Sequence, residues 1–592
     1  MNRFLSGLRS SANASGHPVL VSFLFLAWTV GIEGAGLSWQ TAQGYRWSQL
    51  PVPKAGRTGF TLLQGSVTGI VFTNLLDEEH SLTNRNLLSG SGVAAGDVDG
   101  DGLVDLYFCG LDNHNVLYRN LGQWKFEDIT ANAGVACSGQ YSTGAVLADI
   151  DGDGDLDLLV NALGGGTRLF VNDGRGHFTE STDSGLIRRH GSMSMALADV
   201  DGNGTLDLYV ANFRPDTIRD EPTTKFHGQI VAGRPIITTV NDRPATLPEY
   251  TNRFVLAASG NVLEFGEPDV LYLNDGGGHF QQRSFTDGSF LDEDGLPLSD
   301  PPRDWGLAVQ FHDLNGDGAP DIYVCNDLFT PDRIWVNDGQ GKFRALARLA
   351  LRNTSTFSMG VDFADIDRDG QVDFFVVDML SRDHRKRHVQ VSESNPEPLP
   401  IGLIDIRPQV LRNTLQINRG DVTFSEASYY AGLEASEWSW GPIFLDVDLD
   451  GFEDILVSNG QLRDFQNIDM ANRIEAMRSA GKLTRSELLK LMRSYPSLVT
   501  AKVIFRNRGD RTFEETGAEW GFNTPGISQG MCLADLDNDG DLDVVVNNLN
   551  GEAGVYRNES AGARVAVRLK GQGPNTQGIG AKIWVYGGAV PM

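Results

Sequence analysis

The residues best placed to do chemistry in this chain are carboxylates spaced two apart around a glycine. Asp149, Asp151, Asp153 and Asp157 stand at positions 1, 3, 5 and 9 of a nine-residue loop whose sixth position is Gly154. As such a loop curls, side chains at positions 1, 3 and 5 converge on one point. The glycine takes the sharp turn, position 7 offers a carbonyl, and the ninth-position carboxylate closes the shell. Hard oxygen ligands at this spacing suit Ca2+, which takes about 6–8 oxygens at roughly 2.3–2.6 Å.

The pattern occurs seven times. The other copies are Asp97, Asp99, Asp101 and Asp105; Asp199, Asp201, Asn203 and Asp207; and Asp313, Asn315, Asp317 and Asp321. They continue with Asp365, Asp367, Asp369 and Asp373; Asp446, Asp448, Asp450 and Asp454; and Asp535, Asp537, Asp539 and Asp543. An acidic turn kept only for solubility would not hold four ligand positions through all the copies. Asn203 and Asn315 retain an oxygen but lose the charge, so the third and fourth sites are expected to be weaker. Up to seven structural Ca2+ ions are expected, each tying two strands together and neutralising clustered Asp.

The elements that position these loops repeat with them. A small-residue stretch such as Gly144 to Ala148 precedes the loop, and a β-branched and aromatic stretch such as Leu156 to Val160 follows it. Next comes a hairpin with Asn-x-Gly and a Phe. It is seen at Tyr118 to Phe126, Phe170 to Phe178, Tyr272 to Phe280, Trp335 to Phe343, Ile417 to Phe424 and Phe505 to Phe513. Asn and Gly there are expected to supply positive φ. Each unit therefore reads as a four-stranded antiparallel sheet.

The loop starts are spaced by 52, 50, 114, 52, 81 and 89 residues. A period near 50 with four strands per unit predicts an all-β fold, a seven-bladed β-propeller over 66–560. The long spacings are insertions between second and third strands, at about 213–268, 379–411 and 460–500. The last has helical periodicity in Ile474, Met477, Leu483, Leu488, Leu491 and Met492. The seventh unit lacks an outer strand, and Val67 to Asn74 is expected to supply it and close the ring. Residues 37–65 read as a linker. Residues 561–592 read as a short C-terminal β segment.

Lys and Arg number 49 against 77 Asp and Glu, a net charge of −28. That excludes general nucleic-acid affinity, which needs basic surface. Seven divalent cations would halve the imbalance. Four Cys do not make a disulfide framework; Cys109 and Cys325 sit in equivalent apolar runs and read as buried small residues. Residues 1–36 read as a cleaved export signal. Arg3 and Arg9 precede the apolar run Pro18 to Ile32, which is short for a span needing about 20 residues. No membrane span is expected after cleavage, and the expected location is secreted, extracellular or cell envelope.

The units resemble FG-GAP/VCBS repeats of the kind found in integrin α-chain propellers. The array resembles the cartilage acidic protein family, in which a propeller precedes an ASPIC/UnbV domain. The stretches that carry this are Phe72-Thr-Asn74, Val377-Asp-Met-Leu380 followed by a basic segment, Ser458-Asn-Gly460, and Asn575 to Lys582. The resemblance implies that 561–592 begins an ASPIC/UnbV-like domain, which here stops after about two strands. It also implies partner binding opposite the Ca2+ loops.

Strand alternation places the insertions together on the face away from the loops, where a glycan or extracellular protein would bind. Aromatics recur eight residues before a loop at Tyr141, Trp305, Phe357 and Trp438, with Trp440 close by, and are expected to ring the channel mouth there. They are candidate stacking platforms; the alternative is packing between units. Arg382, Arg385, Lys386 and Arg387 form a basic island able to grip an anionic ligand, or to pair with neighbouring acidic units. The expected function is adhesion or recognition, without catalysis. Gly526 to Gly530 matches G-x-S-x-G, but Ser528 occupies a place that Ser142, Ser192, Ser358 and Ser439 share, so it is a repeat position. The runner-up is a sugar-processing lyase or dehydratase in a cleft of the insertions, signalled by a cluster of His, Tyr and acid at the channel mouth.

Overall fold

The computed structural model describes residues 37–584 except 222, 232–233, 257–261, 329, 391–406, 482 and 572. The apolar run Pro18 to Ile32, the middle of the second insertion and the last eight residues lie outside them. Among the described residues no helix is long and apolar enough to cross a membrane.

The chain is all-β and built mainly from antiparallel sheets, many of them four-stranded. Sheet 1 runs Val93–Gly96, Asp105–Phe108, Val116–Asn120 and Phe126–Asp128. Sheet 2 runs Tyr141–Ala148, Asp157–Leu163, Gly166–Asn172 and Phe178–Ser181. Sheet 3 is Ser192–Ala198, Asp207–Asn212, Val270–Asn274 and Phe280–Arg283. Sheet 4 is Gly306–His312, Asp321–Asn326, Arg333–Asn337 and Phe343–Ala345, with Phe290–Leu291 added in parallel at its edge. Sheet 5 is Gly360–Ala364, Asp373–Val377, Thr414–Asn418 and Phe424–Glu426. Sheet 6 is Ser439–Leu445, Asp454–Asn459, Val503–Asn507 and Phe513–Glu515. Sheet 7 is Ser528–Ala534, Asp543–Asn548 and Gly554–Asn558, with Phe60–Leu63 as its fourth strand.

The second strands are buried on both faces, which explains their unbroken apolar runs: Ile322, Val324, Leu456 and Val545 are all at most 1 % exposed. The first strands are rich in Gly, Ala, Ser and Met because they crowd together. Each packs beside the first strand of the next sheet, and Ser528–Ala534 of sheet 7 packs beside Val93–Gly96 of sheet 1. A Cβ on Gly530 would come within 2.7 Å of the Gly92 Cα, so that seam requires glycine. The first strands of sheets 2 to 7, with residues 89–92 just before that of sheet 1, line one cavity of about 300 Å3, walled by Met193, Met195, Met359 and Met531 among others.

Two expectations at the termini are corrected. The strand that completes sheet 7 is Phe60–Leu63, which lies inside the stretch read as a linker, and not Val67 to Asn74. Phe60 is 1 % exposed and packs on Phe522, whereas Val71 is 67 % exposed. Residues 65–68 turn helically and end at Gly69 with φ 86°, which breaks any strand there. The segment read as a linker also folds a hairpin, Gln40–Ala42 with Tyr45–Trp47. No strand follows Asn558 among the described residues, so the C-terminal β segment is not formed there. Val565 and Val567 stand exposed.

Three long segments separate second from third strands, in sheets 3, 5 and 6. The helices of the last are Ile468–Ser479 and Arg485–Arg493, capped by Asn467 and Thr484. Leu488, Leu491 and Met492 pack with Leu82 from the segment before sheet 1. Ion pairs bind these pieces together: Arg485 to Glu221 at 2.8 Å, Arg463 to Glu78 at 2.6 Å and Arg85 to Asp220 at 2.5 Å. Antiparallel pairing puts this assembly at the strand ends away from the acidic loops.

Candidate metal centre

Each acidic loop is locked by the same two sets of bonds. The first Asp accepts the amide N–H of the sixth-position Gly in all seven, for example Gly102 to Asp97 at 2.9 Å and Gly451 to Asp446 at 2.9 Å. The ninth-position Asp opens the second strand and uses both oxygens on backbone. In sheet 2, Asp157 accepts Ile150 N–H at 3.0 Å and Asn172 N–H at 2.9 Å. The same pair of bonds recurs at Asp105, Asp207, Asp321, Asp373, Asp454 and Asp543.

The Asn of the Asn-x-Gly hairpin therefore does more than turn the chain. The Asn is not at positive φ; the Gly two residues on is, as at Gly122 (74°) and Gly339 (75°). The Asn side chain reaches the neighbouring sheet. Asn172 Nδ2 donates to the Val98 carbonyl at 2.9 Å, Asn274 to Ile150 at 2.8 Å and Asn337 to Val200 at 2.9 Å. Asn418 donates to Leu314 and Asn507 to Ile366. Ser560 Oγ does so to Val447, and Asn120 returns from sheet 1 to Leu536 of sheet 7 at 3.0 Å. Every acceptor is the second residue of an acidic loop, so loop geometry and sheet-to-sheet contact are fixed together. The turn signal was readable in the sequence; this long-range role was not, because it needs the adjacent sheet.

The cages gather carboxylates. Asp149, Asp151 and Asp157 each bring an oxygen within 4.8 Å of the others, as do Asp97 with Asp99 and Asp101, and Asp199 with Asp201 and Asp207. Asp365, Asp367 and Asp373 do the same, as do Asp446, Asp448 and Asp454. Burial pushes the ninth-position carboxyls up, to about 7 at Asp105, Asp157, Asp207 and Asp321 and to about 8 at Asp373 and Asp454. Buried oxygens of Asp97, Asp367, Asp448 and Asp537 have no hydrogen-bond donor. Unpaired, desolvated acceptors carry a cost unless a cation meets them. These residues therefore fit a divalent oxygen-seeking cation. In the fourth cage Asn315 turns its amide onto Asp317 at 2.8 Å, and Lys582 lies 2.6 Å from Asp313.

The other candidates fare differently. Trp305 is 1 % exposed, donates to the Glu264 carbonyl at 3.0 Å and packs edge-on against Phe213. Trp438 and Trp440 are buried in the same core, and Tyr141 and Phe357 are half-buried against it. The insertions fold down over these rings, so they are packing residues and offer no open stacking face. The basic island is largely paired: Arg382 with Glu515 and Glu437, Lys386 with Glu437 at 3.9 Å, and Arg387 with Glu434 at 3.1 Å. Arg385 is exposed.

Ser528 lies in a strand and donates to Asn548 at 2.8 Å, as Ser192 does to Asn212 and Ser439 to Asn459. It is a repeat bond, not a nucleophile elbow. All four Cys are free, and Cys109 and Cys325 are buried. His312 is held low by burial and stacks on Phe363. The His–carboxylate pairs His80–Asp112 (2.8 Å) and His190–Glu267 (3.5 Å) are not hydrogen-bonded to a tyrosine hydroxyl among the described residues.

The family description "FG-GAP-like repeat" matches residues 97–160, 149–210, 313–376 and 500–546, which contain six of the seven loops, all but 446–454. The chain carries FG-GAP-like repeats over these residues. It resembles cartilage acidic protein 1: that of Xenopus tropicalis is 30 % identical over 102 residues, 17 % of this chain and 15 % of the relative. The Mus musculus and Homo sapiens proteins are 31 % and 32 % identical over 14 % of this chain, and over 13 % and 12 % of their own lengths. Among solved structures, an Agrocybe aegerita lectin described as recognising non-reducing terminal N-acetylglucosamine aligns over 80 % of this chain and 95 % of its own, at 16 % identity and TM-score 0.37. Saccharomyces cerevisiae Sqt1 aligns over 80 % and 96 %, at 8 % identity and TM-score 0.36.

Proposed function

We propose that this chain is a calcium-binding seven-bladed β-propeller, secreted or held in the cell envelope, that recognises an extracellular partner through its insertion face. The observation that carries the reading is the recurrence of one cage, bonded the same way, at the head of every sheet. The ions act as structure: each would bridge the first and second strands of a sheet and offset carboxylates that burial has made costly. That rigid end frees the opposite end to vary, and loops on a rigid scaffold are where binding usually resides.

A protein partner fits that face better than a glycan, because the candidate stacking rings are packed away. The first insertion raises a hairpin, Phe226–Val231 with Arg234–Val240, on which Ile230 is 78 %, Val231 46 % and Ile236 40 % exposed. Exposed apolar side chains on a paired strand suit protein contact. The test is binding of the purified protein to extracellular protein and glycan panels, in calcium and in chelator. Calcium-dependent capture that Ile230→Asp weakens at least tenfold, with the melting temperature unchanged, is the expected result. Capture of a glycan that Ile230→Asp leaves intact would contradict the choice of partner. The enzyme alternative would gain only from turnover of a polysaccharide substrate.

A further inference from the structure

The seven cages differ in one respect that the loop pattern does not show. The residue preceding the clamp Asn on the third strand is Arg119 in sheet 1 and Arg506 in sheet 6, but Val171 in sheet 2 and Leu273 in sheet 3. Both arginines reach back into their own cage. Arg119 Nε lies 2.7 Å from Asp99 and its Nη2 3.2 Å from Asp101. Arg506 repeats the geometry, 2.7 Å from Asp448 and 3.0 Å from Asp450. These are ligand positions 3 and 5 in each loop. Among the described residues, no Lys or Arg lies within ion-pair distance of the carboxylates of the second and third cages.

The arginine does not fill the cage. It takes the Oδ2 atoms of Asp448 and Asp450, while Asp448 Oδ1 remains buried with no donor. A guanidinium fork holds a carboxylate from one side and leaves the other oxygen aimed inward. We propose that the cation loops are of two kinds: clamped loops in sheets 1 and 6, held by Arg119 and Arg506, and open loops in sheets 2 and 3 that depend on the ion. This rests on the cation reading above. The guanidinium supplies part of the charge that an ion would otherwise bring, so a clamped cage stays closed when empty. The same positive charge opposes the ion, so a clamped cage binds it more weakly, by about tenfold for a unit charge a few ångströms away in a partly screened site. An open cage is the reverse: self-repelling when empty, tighter when loaded. Arg119 and Arg506 are thus positioning residues that act through the carboxylates they hold.

Hydrogen exchange of the whole chain, followed by mass spectrometry across a calcium titration, separates the two kinds loop by loop. In chelator, peptides covering 149–157 and 199–207 should exchange fast while those covering 97–105 and 446–454 stay protected. On adding calcium, 149–157 should gain protection at about tenfold lower free ion than the clamped loops, with 199–207 in between because Asn203 leaves that cage one charge short. Arg506→Met should move 446–454 into the fast class in chelator and raise its apparent calcium affinity; Arg506→Lys, which keeps charge but loses the fork, should fall between. If all four loops respond at one calcium concentration in the wild type, the two-kind proposal is overturned whether or not the variants fold. If no loop responds at millimolar calcium, the cation reading itself fails.

Discussion

Stripping calcium with excess chelator should lower the melting temperature by roughly 10–20 °C. Seven loops of one pattern follow from the sequence. Each ion present at about a hundred times its dissociation constant adds roughly 2.7 kcal/mol to the folded state by mass action. A chain of this length loses on the order of 1 kcal/mol per degree near its midpoint, which converts the summed linkage into that shift. The effect should be restored by calcium and much less by magnesium, because Mg2+ demands a tighter octahedral shell that this loop spacing does not provide. Scanning calorimetry in calcium, magnesium and chelator reads it directly. An unchanged midpoint in chelator would mean that the cages do not stabilise the fold through an ion.

In chelator, the protein should be more stable at pH 5 than at pH 8. The ninth-position carboxyls are raised by burial to about 7 or 8, as at Asp157 and Asp454, while in the unfolded chain they return to the ordinary carboxylate range. Between those values the folded state holds protons that the unfolded state has released. Stability therefore falls as pH rises through this window and levels off above the folded values. Summed over the sheets the loss is several kcal/mol. The general acidity of the chain acts in the same direction, but moderate salt screens it, whereas the buried groups feel little screening. Saturating calcium should flatten the profile, because the ion takes over the compensation that the proton supplied. Denaturant midpoints across pH, with calcium and with chelator, test this; parallel profiles in the two conditions would contradict it.

The acidic loops and the sheets around them were legible because each unit repeats one local rule. Alternating burial, a glycine at the sixth loop position and the Asn-x-Gly hairpin all act within a few residues. The three insertions were legible as breaks in that period. What the sequence concealed depends on neighbours far along the chain. Asn172 looks like a turn residue until Val98 of the preceding sheet stands beside it. Phe60–Leu63 is four residues long, and nothing local marks it as the partner of Gly554–Asn558 across the whole chain. The rings of Trp305 and Trp438 recur at a constant offset, which fits exposed platforms and packed seams equally well. Only the folded insertions decide for packing. The basic run at 382–387 reads as free charge until Glu434, Glu437 and Glu515 are placed against it.

The central claim is that the cages hold calcium, and the most direct measurement is the number of ions bound per chain. Native mass spectrometry, or metal analysis after equilibrium dialysis against millimolar calcium, would give it. Close to seven ions are expected for the seven loops, and one fewer when Asp149, Asp151 and Asp153 are replaced by Ala together. A count of zero or one, in protein that is folded and monodisperse, would contradict it.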